Sequence, residues 1–256
     1  MNKANWMGKE ILHKELTGST NQDIKELAMQ GAKEGTVVCA DVQTAGRGRR
    51  GRSWLSEKGN SLLFSLLLRP DIAPDKASQI TLLMALAVTR VLRECCGFEA
   101  MIKWPNDIVV GGKKVCGILT ELHPGEKGKY FVIVGCGINV SQKAFPDEVK
   151  EIATSLLLEN GFAIPTEELL QKVLFEFGQY YDKFLVSQSL AEFMEEYNAY
   201  LISFDKEVRV LDPKGEFDGI SKGINNNGEL SVLLSDGSIV AVYAGEVSVR
   251  GLYGYV

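Results

Sequence analysis

Apolar residues recur along the chain at two spacings, and each spacing predicts a different kind of element. The first helical spacing is that of Ile24, Leu27 and Ala28, which follow a group of small polar residues suited to a helix N-terminus. A second, buried helix begins after Pro74, and two amphipathic helices lie further on. The predicted helices span about residues 20–34, 74–97, 166–186 and 189–201.

Short runs of apolar residues, bounded by turn-forming residues, predict the strands. Turns at Pro105-Asn106-Asp107 and Gly111-Gly112 leave links too short for the crossovers that parallel strands need, so these strands are expected to be antiparallel. We therefore expect an α+β fold, with a mixed, mainly antiparallel sheet flanked by helices. The predicted strands span about residues 36–42, 61–68, 100–104, 108–110, 115–122 and 130–140.

The pattern changes near residue 205. Beyond that point, strands are short and turn signals recur every eight to twelve residues or so, which is typical of a small β-barrel. We therefore expect two domains, over residues 1–205 and 206–256. The predicted barrel strands are residues 208–211, 220–224, 230–234, 239–243 and 247–251.

Composition removes several classes of function. The 256 residues are 45% hydrophobic and carry a net charge of -5, which suits a soluble globular protein that does not attract nucleic acid or anionic membranes as a whole. No apolar run approaches the ~20 residues that span a bilayer, and no secretory signal is visible, so we expect a cytoplasmic protein. Five cysteines without a C-x-x-C pair and two histidines disfavour a disulfide framework, a zinc site and a serine-hydrolase triad.

Against this acidic background, the segment Gly46–Arg52 places four arginines and three glycines in seven residues. A solvated loop is disfavoured because like charges repel one another. A nucleic-acid patch would need interleaved aromatic residues, and only Trp54 lies near. A mobile anion clamp fits better, since glycines let the backbone close over a ligand and arginines offset carboxylate or phosphate charge.

A second cationic position supports the clamp. Lys103 ends an apolar strand and is followed directly by Trp104, Pro105, Asn106 and Asp107. Packing alone does not require a cation beside a rigid turn and a carboxylate. The two segments together indicate a site for an anionic ligand.

Four segments, in this order, resemble those of biotin protein ligases, that is, biotin–[biotin carboxyl carrier protein] ligases. The pairing of the arginine–glycine string with the Lys-Trp-Pro-Asn-Asp string is highly specific for that family. The chain begins almost at the ligase domain, so we expect the monofunctional form without the N-terminal helix-turn-helix domain, and no DNA binding. The matching segments are Gly18–Asn21, Gln43–Trp54, Lys103–Asp107 with Lys114–Leu119, and Gly135–Asn139.

The resemblance implies an ATP-dependent ligase with a biotin/lipoate ligase-like catalytic domain and a small C-terminal SH3-like β-barrel. Such enzymes activate biotin as biotinyl-5'-adenylate and transfer the biotinyl group to a specific lysine of a biotin carboxyl carrier protein of a biotin-dependent carboxylase. ATP and Mg²⁺ are the implied cofactors and biotin is the substrate. We expect no dedicated protein metal site, because Mg²⁺ is held mainly by the nucleotide phosphates. We also expect no membrane partner. A homodimer is compatible with the sequence but is not predicted by any residue.

The same resemblance assigns roles to individual residues. Lys103 and Arg49 are the expected catalytic residues, because charge neutralisation dominates chemistry that brings a carboxylate to a polyphosphate. The expected biotin-binding residues are Ser19, Thr20, Asn21, Gln43, Gly46, Arg47, Gly48, Arg49, Lys103, Gly117 and Ile118. The expected ATP- and adenylate-binding residues are Arg47, Arg49, Arg50, Arg52, Trp54, Lys103, Asn106 and Asn139.

Three alternatives remain at this point. A lipoate protein ligase shares the fold and the reaction, although Gln43 and the Ser-Thr-Asn segment favour the polar ureido ring of biotin over an apolar dithiolane. A single-stranded RNA-binding module built on the arginine–glycine loop would show strongly salt-dependent affinity for RNA and no pyrophosphate release. A non-enzymatic biotin-binding protein would have no need of Lys103 and the arginines.

Overall fold

A seven-stranded sheet forms the centre of the larger part of the molecule. The structure, a computed structural model, describes residues 6–54, 56–162, 164–212, 215–245, 248–251 and 255–256. The strand order in the sheet is β1-β2-β3-β7-β6-β5-β4. The strands are β1 (Ile11–Thr17), β2 (Val37–Gln43), β3 (Ser61–Leu68), β4 (Met101–Lys103), β5 (Asp107–Val110), β6 (Lys113–Pro124) and β7 (Tyr130–Asn139).

Helices cover the two faces of this sheet unequally. Helix α2 (Ala77–Arg90) is buried on nearly every side and packs against α4 (Thr166–Ser187) on one face of the sheet. Helix α1 covers only part of the other face, where its Ile24 and Ala28 meet Val38, Leu67 and Ile133 in a second, smaller core. The rest of that face is left for a pocket. The helices are α1 (Thr20–Met29), α2 (Ala77–Arg90), α3 (Leu156–Asn160), α4 (Thr166–Ser187) and α5 (Met194–Tyr200).

Strand β7 shows how one face serves two purposes. Successive side chains of a strand point to opposite faces, so residues 131, 133, 135, 137 and 139 share a face. Phe131 and Ile133 pack under α1, whereas the next two positions on that face are Gly135 and Gly137. The face therefore changes along one strand from a packed core to a bare floor.

The predicted fold class is confirmed, and several element boundaries need correction. Strands β4 to β7 pair antiparallel throughout, as their short links require. The sequence analysis missed β1, which pairs parallel to β2 and whose residues are almost all exposed, so that it carries no buried apolar pattern. It also missed the short helix α3. Helix α1 ends at Met29 rather than near residue 34, because the backbone turns at Gly31, whose φ is 92°.

The C-terminal strands form a separate antiparallel sheet of five strands, in the order β11-β10-β9-β8-β12. The indole of Trp104 ties this sheet to the larger part by donating to the carbonyl of Gly228 at 3.1 Å. The predicted boundary near residue 205 stays a prediction, and Val247, the first residue of the last predicted strand, lies outside the described residues. The strands are β8 (Glu207–Leu211), β9 (Phe217–Ile224), β10 (Leu230–Leu233), β11 (Ile239–Val242) and β12 (Ser248–Gly251).

Among the described residues, no helix has both the length and the apolar character needed to cross a membrane.

Replacing Leu86 by alanine tests the packing of α2. Leu86 is fully buried between the sheet and the neighbouring helices, so Leu86→Ala leaves a cavity and lowers the free energy of unfolding by about 2–5 kcal/mol. Val186 on α4 is 88% exposed, and Val186→Ala is the matched control, with a change within about 0.5 kcal/mol. Urea unfolding measures both; equal effects would show that α2 is not at the centre of the core.

Candidate active site

One pocket lies on the open part of the sheet face, between α1, the arginine–glycine loop and the C-terminal sheet. Its volume is about 270 Å³. Seven cationic side chains line it, against one carboxylate, in a chain whose net charge is -5. The cations are Arg47, Arg49, Arg50, Arg52, Lys103, Lys114 and Arg250, and the carboxylate is that of Asp107.

The start of α1 supplies a polar end to this pocket. Thr20 donates from its backbone N–H and its hydroxyl to Gln43 Oε1, at 2.8 and 3.1 Å. Ser65 Oγ lies 2.7 Å from Thr20 Oγ1 and 2.5 Å from Asn21 Oδ1, and Asn21 Nδ2 donates to Glu121 at 2.7 Å. These side chains are thereby fixed in orientation. The pocket lining includes Ser19, Thr20, Asn21 and Gln43, which the sequence analysis expected to bind biotin.

Two members of this polar network were missed from the sequence. Ser65 is a hydroxyl in the middle of the fully buried strand β3, between apolar residues on both sides, and that irregularity is a signal that sequence reasoning could have used. Glu121 lies on β6 and also forms an ion pair with Arg47 at 3.3 Å. Nothing local in the sequence marks Glu121, because its partners are distant along the chain.

The arginine–glycine loop is a tight turn over the pocket. Gly48 N donates to the carbonyl of Arg52 at 2.7 Å, and Trp54 N donates to that of Gly46 at 2.9 Å. A short 3-10 turn spans Arg49–Gly51, within which Arg50 has a φ of 57°. Gly46 does not line the pocket; a Cβ there would lie 2.6 Å from the carbonyl oxygen of Trp54, so the lack of a side chain lets the two arms of the loop approach.

Arg49 joins the loop to both parts of the molecule. Its guanidinium donates to Asn106 Oδ1 at 2.8 Å and to the carbonyls of Ala244 and Gly245 at 2.6 and 2.8 Å. Burial lowers the pKa of Arg49 and Asp107 opposes that shift, but a guanidinium keeps its charge at neutral pH. The positive charge of Arg49 is therefore held at the junction of the loop, the β4–β5 turn and the C-terminal sheet.

The floor of the pocket is a pair of glycines covered by Trp54. Gly117 on β6 lies directly opposite Gly137 on β7. A Cβ on Gly117 would lie 2.8 Å from the Trp54 ring, and one on Gly137 would lie 2.6 Å from it. Gly117 and Ile118, which the sequence analysis expected to bind biotin, both line the pocket, and Trp54 packs on the two glycines.

Lys103 reaches the pocket from the end of β4. Its Nζ donates to the carbonyl of Val249 at 3.0 Å and lies 4.3 Å from the centroid of the Tyr255 ring. Burial lowers the pKa of the ammonium to about 8, although the nearby charge of Asp107 acts in the opposite direction. Because burial has already removed water from this ammonium, an incoming anion would stabilise it more than it would a solvated cation.

Asn139 and the segment that follows β7 form the opposite rim. Asn139 Nδ2 donates to the carbonyl of Thr154 at 3.0 Å, and Asn139 Oδ1 accepts from Gln142 at 3.2 Å. Asn139 therefore anchors this rim as well as lining the pocket. The apolar rim residues, which sequence reasoning missed, are Phe145, Pro146, Val149, Ile152 and Ala153.

The carboxylates around the pocket do not fit an all-protein metal site. Asp107 is already bonded to Lys114 at 2.7 Å and accepts from Tyr255, while Glu121 is bonded to Asn21 and Arg47. In the part of the chain that the structure describes, no three His, Cys, Asp or Glu side chains are grouped as metal ligands.

Comparisons with known proteins agree with this architecture. The sequence model of the biotin/lipoate A/B protein ligase family matches residues 14–139, and that of the biotin protein ligase C-terminal domain matches residues 203–250. The bifunctional ligase/repressor BirA of Bacillus subtilis is 39% identical over 247 residues, which are 96% of this chain and 75% of that protein. The chain belongs to the biotin protein ligase family.

The chain is also similar to a relative named only as a ligase and to a biotin protein ligase of known structure. The biotin–[acetyl-CoA-carboxylase] ligase of Mycobacterium tuberculosis is 34% identical over 242 residues, covering 90% of this chain and 85% of that protein. The structure of biotin protein ligase from Aquifex aeolicus in complex with biotin and ATP superposes with a TM-score of 0.84 at 34% identity, over 95% of this chain and 99% of that chain.

A methyl group on the floor of this biotin protein ligase tests the contact with Trp54. Gly137→Ala places a Cβ within 2.6 Å of the indole, and such overpacking lowers the free energy of unfolding by about 1–3 kcal/mol. In a Trp54→Ala background the same change costs less than about 0.5 kcal/mol, because the clashing ring is gone. Urea unfolding of the four variants measures the difference. An equal cost in both backgrounds would rule out the contact.

Proposed function

We propose that the seven cations of this pocket perform the activation step of a biotin ligase. As a member of its family, the protein is an ATP-dependent ligase that makes biotinyl-5'-adenylate and transfers the biotinyl group to a carrier lysine. In the first step the biotin carboxylate attacks the α-phosphorus of ATP and pyrophosphate leaves. In the second, the lysine amine attacks the acyl carbonyl and AMP leaves. The observation that carries the proposal is the concentration of cations in one pocket of an acidic chain.

The polar end of the pocket is proposed to bind the ureido ring of biotin. A ureido group offers one carbonyl acceptor and two N–H donors, and Ser19, Thr20, Asn21 and Gln43 provide partners of both kinds. Hydrogen bonds of Thr20 to Gln43, and of Thr20 and Asn21 to Ser65, fix the orientation of these three side chains before the ligand arrives. A dithiolane ring has no such groups and would offer this polar end of the pocket no hydrogen bonds in exchange for the water it displaces, which favours biotin over lipoate.

Lys103 is proposed to neutralise the two reacting anions. A carboxylate and a polyphosphate repel each other, and preorganised positive charge offsets this repulsion most strongly where water is excluded. The ammonium is partly buried at the pocket wall, where it could contact the biotin carboxylate and the α-phosphate together. No protein nucleophile or histidine base is needed, because the carboxylate itself attacks.

The arginine–glycine loop is proposed to hold the nucleotide and the intermediate. Arg47 and Gly48 would contact the acyl end, and Arg49 would hold the phosphate of the adenylate, with Arg50 and Arg52 on the outer phosphates. Arg250, from the C-terminal sheet, adds a cation to the same wall. Gly46 acts indirectly, by letting the loop close.

The apolar rim is proposed to receive the adenine base. Phe145, Val149 and Ile152 offer a surface on which a flat ring can pack, and Asn139 fixes the segment that carries them. Asn106, bonded to Arg49, would position that arginine toward the nucleotide, and the Trp54 ring would cover the linker between acyl group and phosphate. Mg²⁺ would enter with ATP, held mainly by the phosphates.

The macromolecular partner is proposed to be the biotin carboxyl carrier protein of a biotin-dependent carboxylase, and the proposed location is the cytoplasm, where ATP and such carboxylases occur. A homodimer is proposed on the exposed edge strand β1, which has a free side for a strand of a second copy. No DNA partner is proposed.

Removing the charge of Lys103 tests its role. Lys103→Ala is expected to reduce biotin-dependent pyrophosphate release by at least about 100-fold, the scale of losing one preorganised charge contact. Lys222→Ala is the matched control, since Lys222 pairs with Asp205 on the protein surface; it should retain full activity.

The wild-type pH profile gives an independent reading of the same role. The ammonium is the active form and its pKa lies near 8, so kcat/KM for activation falls as the pH rises through about 8. A folded Lys103→Ala variant with normal release, or a wild-type profile that stays flat to pH 10 or so, would contradict the role.

Removing the guanidinium of Arg49 tests retention of the intermediate. Arg49→Gly removes a proposed phosphate contact and the bonds to Ala244 and Gly245, so biotinyl-adenylate is expected to leave about tenfold faster, matching the loss of one charged hydrogen bond. Rapid filtration with labelled biotin measures this loss. Arg209→Gly, which breaks an exposed pair with Asp218, is the control. Unchanged retention by Arg49→Gly would assign the phosphate to another residue.

A further inference from the structure

Tyr255 lies against the proposed catalytic lysine, although no sequence motif marks it. Its ring centroid is 4.3 Å from Lys103 Nζ, within the range of a cation–π contact. Its hydroxyl donates to Asp107 Oδ2 at 2.7 Å. Burial and the charge of Asp107 raise the pKa of the phenol well above its usual range, so the hydroxyl keeps its proton and acts as a donor. One side chain thus contacts both the cation and the carboxylate of the pocket wall.

The geometry of the β4–β5 hairpin shows why it matters that Tyr255 contacts both Lys103 and Asp107. Lys103 and Asp107 are directly opposite each other in the ladder of the hairpin. Opposite charges at such positions normally pair with each other. Here Asp107 Oδ1 instead pairs with Lys114 at 2.7 Å, and Oδ2 accepts from Tyr255. Among the described residues, Asp107 therefore forms an ion pair within 4.0 Å with Lys114 and not with Lys103.

The consequence for Lys103 is electrostatic. A lysine held directly by Asp107 would have much of its charge neutralised before any substrate arrived, and would pair less well with a carboxylate or a phosphate. The Tyr255 ring holds the ammonium without a competing negative charge, since an aromatic face attracts a cation only weakly. The carbonyl of Val249 provides one further neutral contact at 3.0 Å.

We infer that Tyr255 is a positioning residue for biotin activation: its ring holds the Lys103 ammonium and its hydroxyl occupies Asp107, so that the positive charge stays available to the reacting anions. This inference rests on the role proposed for Lys103. It also gives the C-terminal segment a part in the chemistry, because Tyr255 follows the last strand of the smaller sheet.

Two substitutions distinguish the effect of the Tyr255 ring from that of its hydroxyl. Tyr255→Leu removes both, and is expected to lower kcat for biotin-dependent pyrophosphate release about tenfold, on the scale of a desolvated cation–π contact. Tyr255→Phe keeps the ring and removes only the donor to Asp107, so a smaller loss of about threefold is expected. Tyr200→Leu is the matched control: Tyr200 stacks on Arg93 with its ring 5.1 Å from the guanidinium, outside the pocket, and its loss should leave kcat unchanged.

The pH profile distinguishes positioning from a purely structural effect. When the hydroxyl is removed, Asp107 Oδ2 loses its donor and can pair with Lys103 while Oδ1 stays with Lys114, and a paired ammonium holds its proton to higher pH. The alkaline limb of the activation rate is therefore expected to move up by about one pH unit in both Tyr255 variants. A variant that was merely less stable would lower the rate without moving this limb.

A double substitution completes the test. If the hydroxyl acts by occupying Asp107, Tyr255→Phe should cost nothing further in an Asp107→Asn background. The inference would be overturned if Tyr255→Leu kept the wild-type kcat and the wild-type alkaline limb of the pH profile while Lys103→Ala was still impaired. That result would leave the proposed function standing. Full activity of Lys103→Ala would overturn both. Circular dichroism of each variant confirms folding, and the conservative Tyr255→Phe keeps the comparison open should Tyr255→Leu fail to fold.

Discussion

In the proposed reaction two anions have to meet in this pocket before any bond can form, and their mutual repulsion is the constraint on which the rest of the structure depends. The cations that offset the repulsion must be held close together, although they repel one another as well. The cations come from several elements of the structure: the loop provides four arginines, β4 provides Lys103, β6 provides Lys114, and β12 provides Arg250. Arg47 and Lys114 each pair with a carboxylate, Arg49 donates to neutral carbonyls, and Lys103 contacts a carbonyl and an aromatic ring.

The sheet makes room for this arrangement. Strand alternation puts Phe131 and Ile133 under α1 and Gly137 under the Trp54 ring, so a single face is both core and floor. The opposed pair Gly117 and Gly137 admits the Trp54 ring, which a Cβ on either residue would displace. The C-terminal sheet closes the remaining side through contacts with Arg49, Lys103 and Asp107.

Those parts of the fold and the pocket that are formed by residues close together in the sequence could be predicted from it. The strings around Arg49 and Lys103 are contiguous, and most helices and strands follow periodic apolar patterns, so both could be read directly. Tyr255, Arg250 and Glu121 could not be found, because each reaches the pocket through pairing between distant segments. Strand β1 was missed for a different reason: an exposed edge strand has no buried face and hence no apolar alternation.

Biotin-dependent exchange of labelled pyrophosphate into ATP, with lipoate and octanoate as matched carboxylates, tests the central claim most directly. It isolates the step in which a carboxylate and a polyphosphate meet, and it requires no carrier protein. The arrangement of polar partners beside the cation cluster predicts rapid exchange with biotin and none above background with lipoate or octanoate. Exchange with lipoate but not with biotin, or no exchange by the folded protein with any of the three acids, would contradict it.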